Sequence, residues 1–236
     1  MIDTQRFTRG LYTITQAARL VGMSAGTLET WANGYERQPS GRPAVTQGPI
    51  VTSVRDAGDH RSIPFIGLIE ATVVQAFRQT GLPMQRIRRA LEVLAGQGRP
   101  EHALASRLLF SDEANVLYDY ARHEGDKQLG LLTLTVVNTG QRVFPEVIQQ
   151  YLTRITFGDD WATDLVVPVT ERPLLRIRPT VADGDPLFLM GGAPLSAVYS
   201  RACAGEPAQS IANDYGMPLA DLKEALDAVW PQALAA

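Results

Sequence analysis

Apolar side chains recur three and four positions apart along "PFIGLIEATVVQAFRQTG", which predicts a helix opening near Pro64 and ending before Gly81. "LPMQRIRRALEVLAG" continues the pattern in a second helix, with Ile87, Leu91 and Leu94 inward and Arg86, Arg88 and Arg89 largely outward. Closer to the start, Thr13 followed by Gln16 is a capping-box pair and predicts a helix from Ile14 to Leu20. Ser24 is placed to cap another through Asn33, and Gly22 between them permits a tight turn. Small Ala18 lets the two helices approach closely, with Val21, Leu28 and Trp31 filling the space between them. Residues 34–62 break the helical pattern. They are rich in Gly, Pro, Arg and polar residues, with a β-like patch "PIVTSV", as in a hairpin or wing.

The spacing around Gly22 occurs twice. "ARLVGMSAGTL" (18–28) and "ANDYGMPLADL" (212–222) each run from Ala to Gly-Met four residues on, and to Leu six residues beyond the Gly. In the second copy Pro207 suits the first turn of a helix to Tyr215, Gly216 makes the turn, and Pro218 opens a helix through Val229. Ile211, Ala212, Leu219, Leu222, Leu226 and Val229 supply its apolar side. Both copies therefore predict a helix-turn-helix. Before the second, "LLRIRPTVADGDPLFLMGGAPLSAVYSRACAGEP" predicts a strand, a turn, a short strand, a Gly-Gly turn and a helix, with Cys203 as a buried small hydrophobe. The middle stretch predicts a strand or two in "LGLLTLTVVNTGQRVF", turning at Asn138-Thr139-Gly140, and a short helix from Pro145 in "PEVIQQYLTRITF". The fold class is mainly α with minor β, in three segments: 1–97, a connecting or dimerising 98–171, and 172–236.

Charge divides the chain. Residues 1–110 carry thirteen Arg against eight acids, and residues 111–236 carry nine basic against seventeen acidic residues. The basic half suits nucleic acid, whose phosphates dominate non-specific affinity. The second Gly-Met copy does not share that property: from Gly205 to Trp230, Glu206, Asp214, Asp221, Glu224 and Asp227 face one Lys223, which points to a protein partner or dimerisation. One cysteine and three scattered histidines provide neither a disulfide framework nor a metal site. No Gly-rich phosphate loop or nucleophile elbow is present, and Asp159, Asp160 and Asp164 read as an exposed acidic loop. The expectation is a non-enzymatic chain without cofactor or metal. No 18-residue apolar run and no hydrophobic N-terminal segment occur, so the chain is expected to be soluble and cytoplasmic, with no membrane contact.

Helix-turn-helix, wing and helix pair, with "GLPMQRIRRAL" opening the last helix, resemble the MerR-type winged DNA-binding domain over residues 10–97. One position departs: MerR relatives usually carry a basic residue after the recognition-helix Leu, where this chain has Glu29. The resemblance implies operator contacts from Ser24, Ala25, Thr27, Thr30, Trp31, Tyr35, Arg37 and Arg42, with Arg55 and Arg61 in the wing. It also implies a homodimer on a palindromic site. Residues 172–230 resemble the small antitoxin domain known as domain of unknown function 433. The carrying features are Pro179, Gly184-Asp185-Pro186, Pro194, Gly205-Glu206, Ile211-Ala212, Tyr215 and Ala225-Leu226. The whole layout is similar to large VapB-type antitoxins, which implies a PIN-like ribonuclease toxin as partner and repression of the chain's own operon. Arg172, Arg176 and Arg178 share parity along a strand and are the candidates for the toxin's acidic cleft. The alternative is a single-component MerR-like regulator whose second half binds a ligand or dimerises.

Overall fold

A computed structural model describes residues 5–37, 45–55, 61–96, 102–106 and 150–230; the strands expected around 131–140 and residues 145–149 of the expected helix lie outside these. The N-terminal elements are α1 (Gln5–Thr8), β1 (Gly10–Thr13), α2 (Ile14–Val21), α3 (Ala25–Asn33), β2 (Tyr35–Arg37), β3 (Val45–Gln47), β4 (Val54–Arg55), β5 (Arg61–Pro64), α4 (Phe65–Gln79) and α5 (Met84–Gly96). A short 3-10 turn at Ala103–Ala105 follows. The C-terminal elements are β6 (Ile155–Phe157), β7 (Ala162–Val166), β8 (Leu175–Ile177), β9 (Leu187–Phe188), α6 (Leu195–Cys203), α7 (Ala208–Tyr215) and α8 (Leu219–Val229).

α4 lies at the centre. It starts after Pro64 and ends at Thr80, as its periodicity predicts, but it is buried nearly all round rather than along one stripe. It packs against α1, α2, β5 and α5, and also against β7 from the C-terminal sheet. Its one acid, Glu70, is buried and satisfied: Oε2 accepts the Thr52 N–H at 2.6 Å and Oε1 lies 3.1 Å from His102 Nδ1.

β1, β5 and β4 form an antiparallel sheet in that order, and β2 pairs with β3. β6, β7, β8 and β9 form a four-stranded antiparallel sheet. β6 corrects the helix expected through Phe157: residues 150–152 are helical, the chain turns, and Ile155–Phe157 pairs with β7. The Ile-Thr-Phe run fits a pleated surface, and β7, which follows after residues 158–161, folds back on it as a hairpin that selects that state.

A single apolar core runs from Phe7 through Leu28, Phe65, Leu165 and Ile177 to Leu222 and Val229. The N- and C-terminal segments meet through it, with α2 packed against α8. Tyr12 donates its hydroxyl to the Gly184 carbonyl, and Arg9 pairs with Asp183 at 2.6 Å. Burial pushes the Tyr12 phenol well above its ordinary value. The loop that meets it holds Ala182 and Asp183 at φ of 47° and 53°, a costly conformation for non-glycine residues. Cys203 is exposed, not buried: the inward stripe of α6 is Leu195, Val198 and Ala202, and Cys203 falls one position past it.

Candidate nucleic-acid interface

The first Gly-Met copy forms a helix-turn-helix from local signals. The Thr13 side chain accepts the Gln16 N–H at 3.2 Å, and the Gln16 side chain accepts the Thr13 N–H at 2.9 Å, closing the capping box. Gly22 ends α2 in the left-handed region, and the Met23 N–H reaches back to the Ala18 carbonyl at 2.9 Å. Ser24 then caps α3 by accepting the Thr27 N–H at 3.2 Å. Leu28, Trp31 and Ala32 pack inward against Ala17, Ala18 and Val21.

The second copy reproduces the turn. Gly216 ends α7 with φ 65° and ψ 36°, against 74° and 42° at Gly22. The Met217 N–H bonds the Ala212 carbonyl at 3.0 Å, and Leu222 is as deeply buried as Leu28. The surroundings differ. α8 packs on α2, so the second unit braces the first.

On α3 the outward positions are Ser24, Gly26, Thr27, Glu29, Thr30 and Asn33, with Ala25 half-buried. Of the residues expected at DNA, Ser24, Ala25, Thr27 and Thr30 come together there. Trp31 is buried at 4% exposure and supports the helix from behind. Arg61 is likewise turned inward: its guanidinium donates to the Ala32 carbonyl at 3.3 Å and to Ser53 Oγ at 2.7 Å, tying β5 to the end of α3. A cation at a helix C-terminus complements its dipole. Tyr35 is half-buried, with the Arg88 guanidinium 6.0 Å from its ring centre. Arg37 lies on β2, Arg55 is exposed at the end of β4, and Arg42 is outside the described residues.

Arg88 corrects the expectation that it points outward. It is buried and donates to the Gly48 carbonyl, and burial lowers its ordinary pKa. The inward stripe of α5 includes Ile87, and Arg88 sits at its margin, reaching over to Gly48 in the segment between β3 and β4. Of its neighbours Arg89 is exposed and Arg86 half-buried; Leu91 packs on the core and the side chain of Leu94 is outside the described residues.

Arg172, Arg176 and Arg178 do not share one face. Arg172 pairs with Asp221 at 3.0 Å and with Glu224, both on α8. Arg176 and Arg178 instead flank Asp164 on β7, with Nε to Oδ2 distances of 3.4 and 2.6 Å. Asp164 is buried, unlike Asp159 and Asp160, so it does not belong to an exposed acidic loop. Its Oδ1 and the Arg176 Nε lack hydrogen-bond partners. Two guanidinium groups therefore share one carboxylate, leaving a net positive spot.

The acids of the second unit are largely engaged. Arg201 on α6 holds Glu206 through Nε at 2.7 Å and also reaches Asp214, with the Tyr215 ring 5.3 Å away. Hydrogen bonding to Arg201 holds the Glu206 carboxyl below the usual carboxylate range. Four of the five acids between 205 and 230 thus face Arg172 or Arg201, cations that lie outside that stretch of sequence. Among the described residues no group of three or more His, Cys, Asp and Glu side chains is arranged to hold a metal ion, and no helix is long and apolar enough to cross a membrane.

Residues 10–91 match the family model described as "Putative DNA-binding HTH domain". The chain is 39% identical over 229 residues to the "Putative antitoxin VapB45" of Mycobacterium tuberculosis (strain ATCC 25618 / H37Rv), covering 95% of each. It is 26% identical over 240 residues to the uncharacterised protein Rv2308 of the same organism, covering 96% of this chain and 93% of that one. The X-ray crystal structure of Rv2018 from M. tuberculosis superposes with a TM-score of 0.71 at 35% identity, covering 94% of this chain and all of that one.

Proposed function

We propose that this chain, which belongs to the family of the "Putative antitoxin VapB45", is the antitoxin of a VapB-type pair and represses its own operon through its N-terminal helix-turn-helix. The observation that carries the reading is the reach of the similarity. It runs through 95% of both chains, so the DNA-binding unit and the C-terminal sheet and helices are shared together.

On this reading α3 enters the major groove, with Ser24, Ala25, Thr27 and Thr30 at the bases and Tyr35, Arg37, Arg42 and Arg55 toward phosphates. Trp31 and Arg61 position the helix from behind. A homodimer sets two such helices at a fixed spacing on the operator. The toxin is a PIN-like ribonuclease whose acidic, metal-binding cleft meets Arg176 and Arg178, where two cations share the one carboxylate of Asp164. Arg172, the third candidate, pairs with Asp221 and Glu224 on α8, apart from these two.

The test is to express the chain with the genes that flank it, purify it by a tag and identify what co-purifies. A stoichiometric small nuclease is expected, its recovery lowered by the pair Arg176→Gln and Arg178→Gln. DNA from the chain's own upstream region is expected to shift in a mobility assay. A chain that purifies alone yet still shifts that DNA would replace this reading with a single-component MerR-like regulator.

A further inference from the structure

We propose that Glu29 sets the base preference of α3 by accepting a hydrogen bond from a cytosine N4 amino group in the major groove; this rests on the DNA-binding reading above. Gly26, Glu29, Thr30 and Asn33 stand at i, i+3, i+4 and i+7 and form the exposed face of α3, opposite Leu28 and Ala32. Glu29 is the single charged residue of the helix, and among the described residues no cation pairs with it. A carboxylate on a face that meets a polyanion weakens affinity, so its use there is discrimination.

The hydroxyl groups beside it sharpen the chemistry. Thr30 Oγ1 donates its proton to the Gly26 carbonyl at 2.8 Å, and the Thr27 and Ser24 hydroxyls bond one another at 2.7 Å. Thr30 therefore offers outward only lone pairs and a methyl group, beside a side chain that only accepts. Guanine shows two acceptors in the major groove, N7 and O6, and would be repelled. Adenine places its N7 acceptor beside its N6 donor, against the same carboxylate. Cytosine offers N4–H₂ flanked by C5–H, and carboxylates pair with it.

Gly26 supplies a second, independent observation. A Cβ built on it meets no atom within 4 Å, so nothing inside the fold requires glycine there. Helices disfavour glycine, and the bare position one turn before Thr30 lets the helix backbone approach a groove closely.

The experiment is selection of a random duplex library by the full chain, comparing wild type with Glu29→Gln, Glu29→Lys and Glu29→Ala. Wild type is expected to enrich cytosine at one position of each half-site. Glu29→Gln should move that preference to adenine and Glu29→Lys to guanine, each by at least about fivefold, while Glu29→Ala flattens it. The exposed site keeps the melting temperature of all variants near wild type. Selected sites with the same base at that position in all four proteins would overturn the proposal and leave the DNA-binding reading standing. A library from which wild type enriches nothing would overturn both.

Discussion

The two turns of the repeated motif invite the same substitution in one molecule. Gly22 and Gly216 hold φ of 74° and 65°, where a Cβ crowds the following carbonyl oxygen at a cost of about 1–2 kcal/mol. At Gly216 the added methyl meets no atom within 4 Å, and at Gly22 only the Val169 Cα, at 4.0 Å. The cost at both is therefore conformational, without a clash. Alanine also restricts the unfolded chain, which offsets about 0.5 kcal/mol and leaves a net loss of about 1 kcal/mol. For a chain of this size that corresponds to about 2–4 °C in Tm. Asparagine tolerates the left-handed region, so Gly22→Asn and Gly216→Asn should recover much of the loss. Thermal unfolding followed by circular dichroism reads all four variants. Because one core joins both units, each substitution should lower the same cooperative transition. Two separate transitions, each moved by one substitution alone, would refute the continuous core. Equal losses for alanine and asparagine would refute the conformational account.

Two further outcomes follow from other contacts. Tyr12→Phe removes the donor from the buried Gly184 carbonyl and should cost about 1–3 kcal/mol, read as a lower denaturant midpoint with faster amide exchange in 181–185. The Glu206 carboxyl is held below its ordinary value of 4.5 by hydrogen bonding to Arg201, so its contribution is present above that pH and is lost as pH falls through the lowered value. Asp185, raised by burial, acts with the opposite sign. The difference between wild type and Glu206→Gln isolates the first group, and it should shrink as urea midpoints are followed from pH 6 to pH 3.

Short-range chemistry was legible because it is written within one or two turns of the chain. The Thr13–Gln16 box, the Ser24 cap, the glycines at 22 and 216 and the prolines at 64, 207 and 218 each act on neighbours a few residues away, and the helices begin and end beside them. The recurrence of Ala, Gly-Met and Leu likewise resolves into one turn geometry used twice. Side chains whose partners are remote were not legible in the same way. Arg61 and Arg88 look like surface cations in sequence, yet each bonds a carbonyl group at least 29 residues away. Charge counted along the second motif omits Arg172 and Arg201, which fold onto it from outside the window.

The boundaries of α2, α3, α4, α7 and α8, the two turns and the uneven charge of the two halves are written in the chain, because caps, φ preferences and composition are local properties. The packing of α2 on α8, the reach of Tyr12 to Gly184 and the place of Asp164 between Arg176 and Arg178 emerge with the assembled fold. Those contacts bring together residues distant in sequence. Which of many exposed-looking polar groups becomes buried is set by the shape of the assembled core, where each must find a partner.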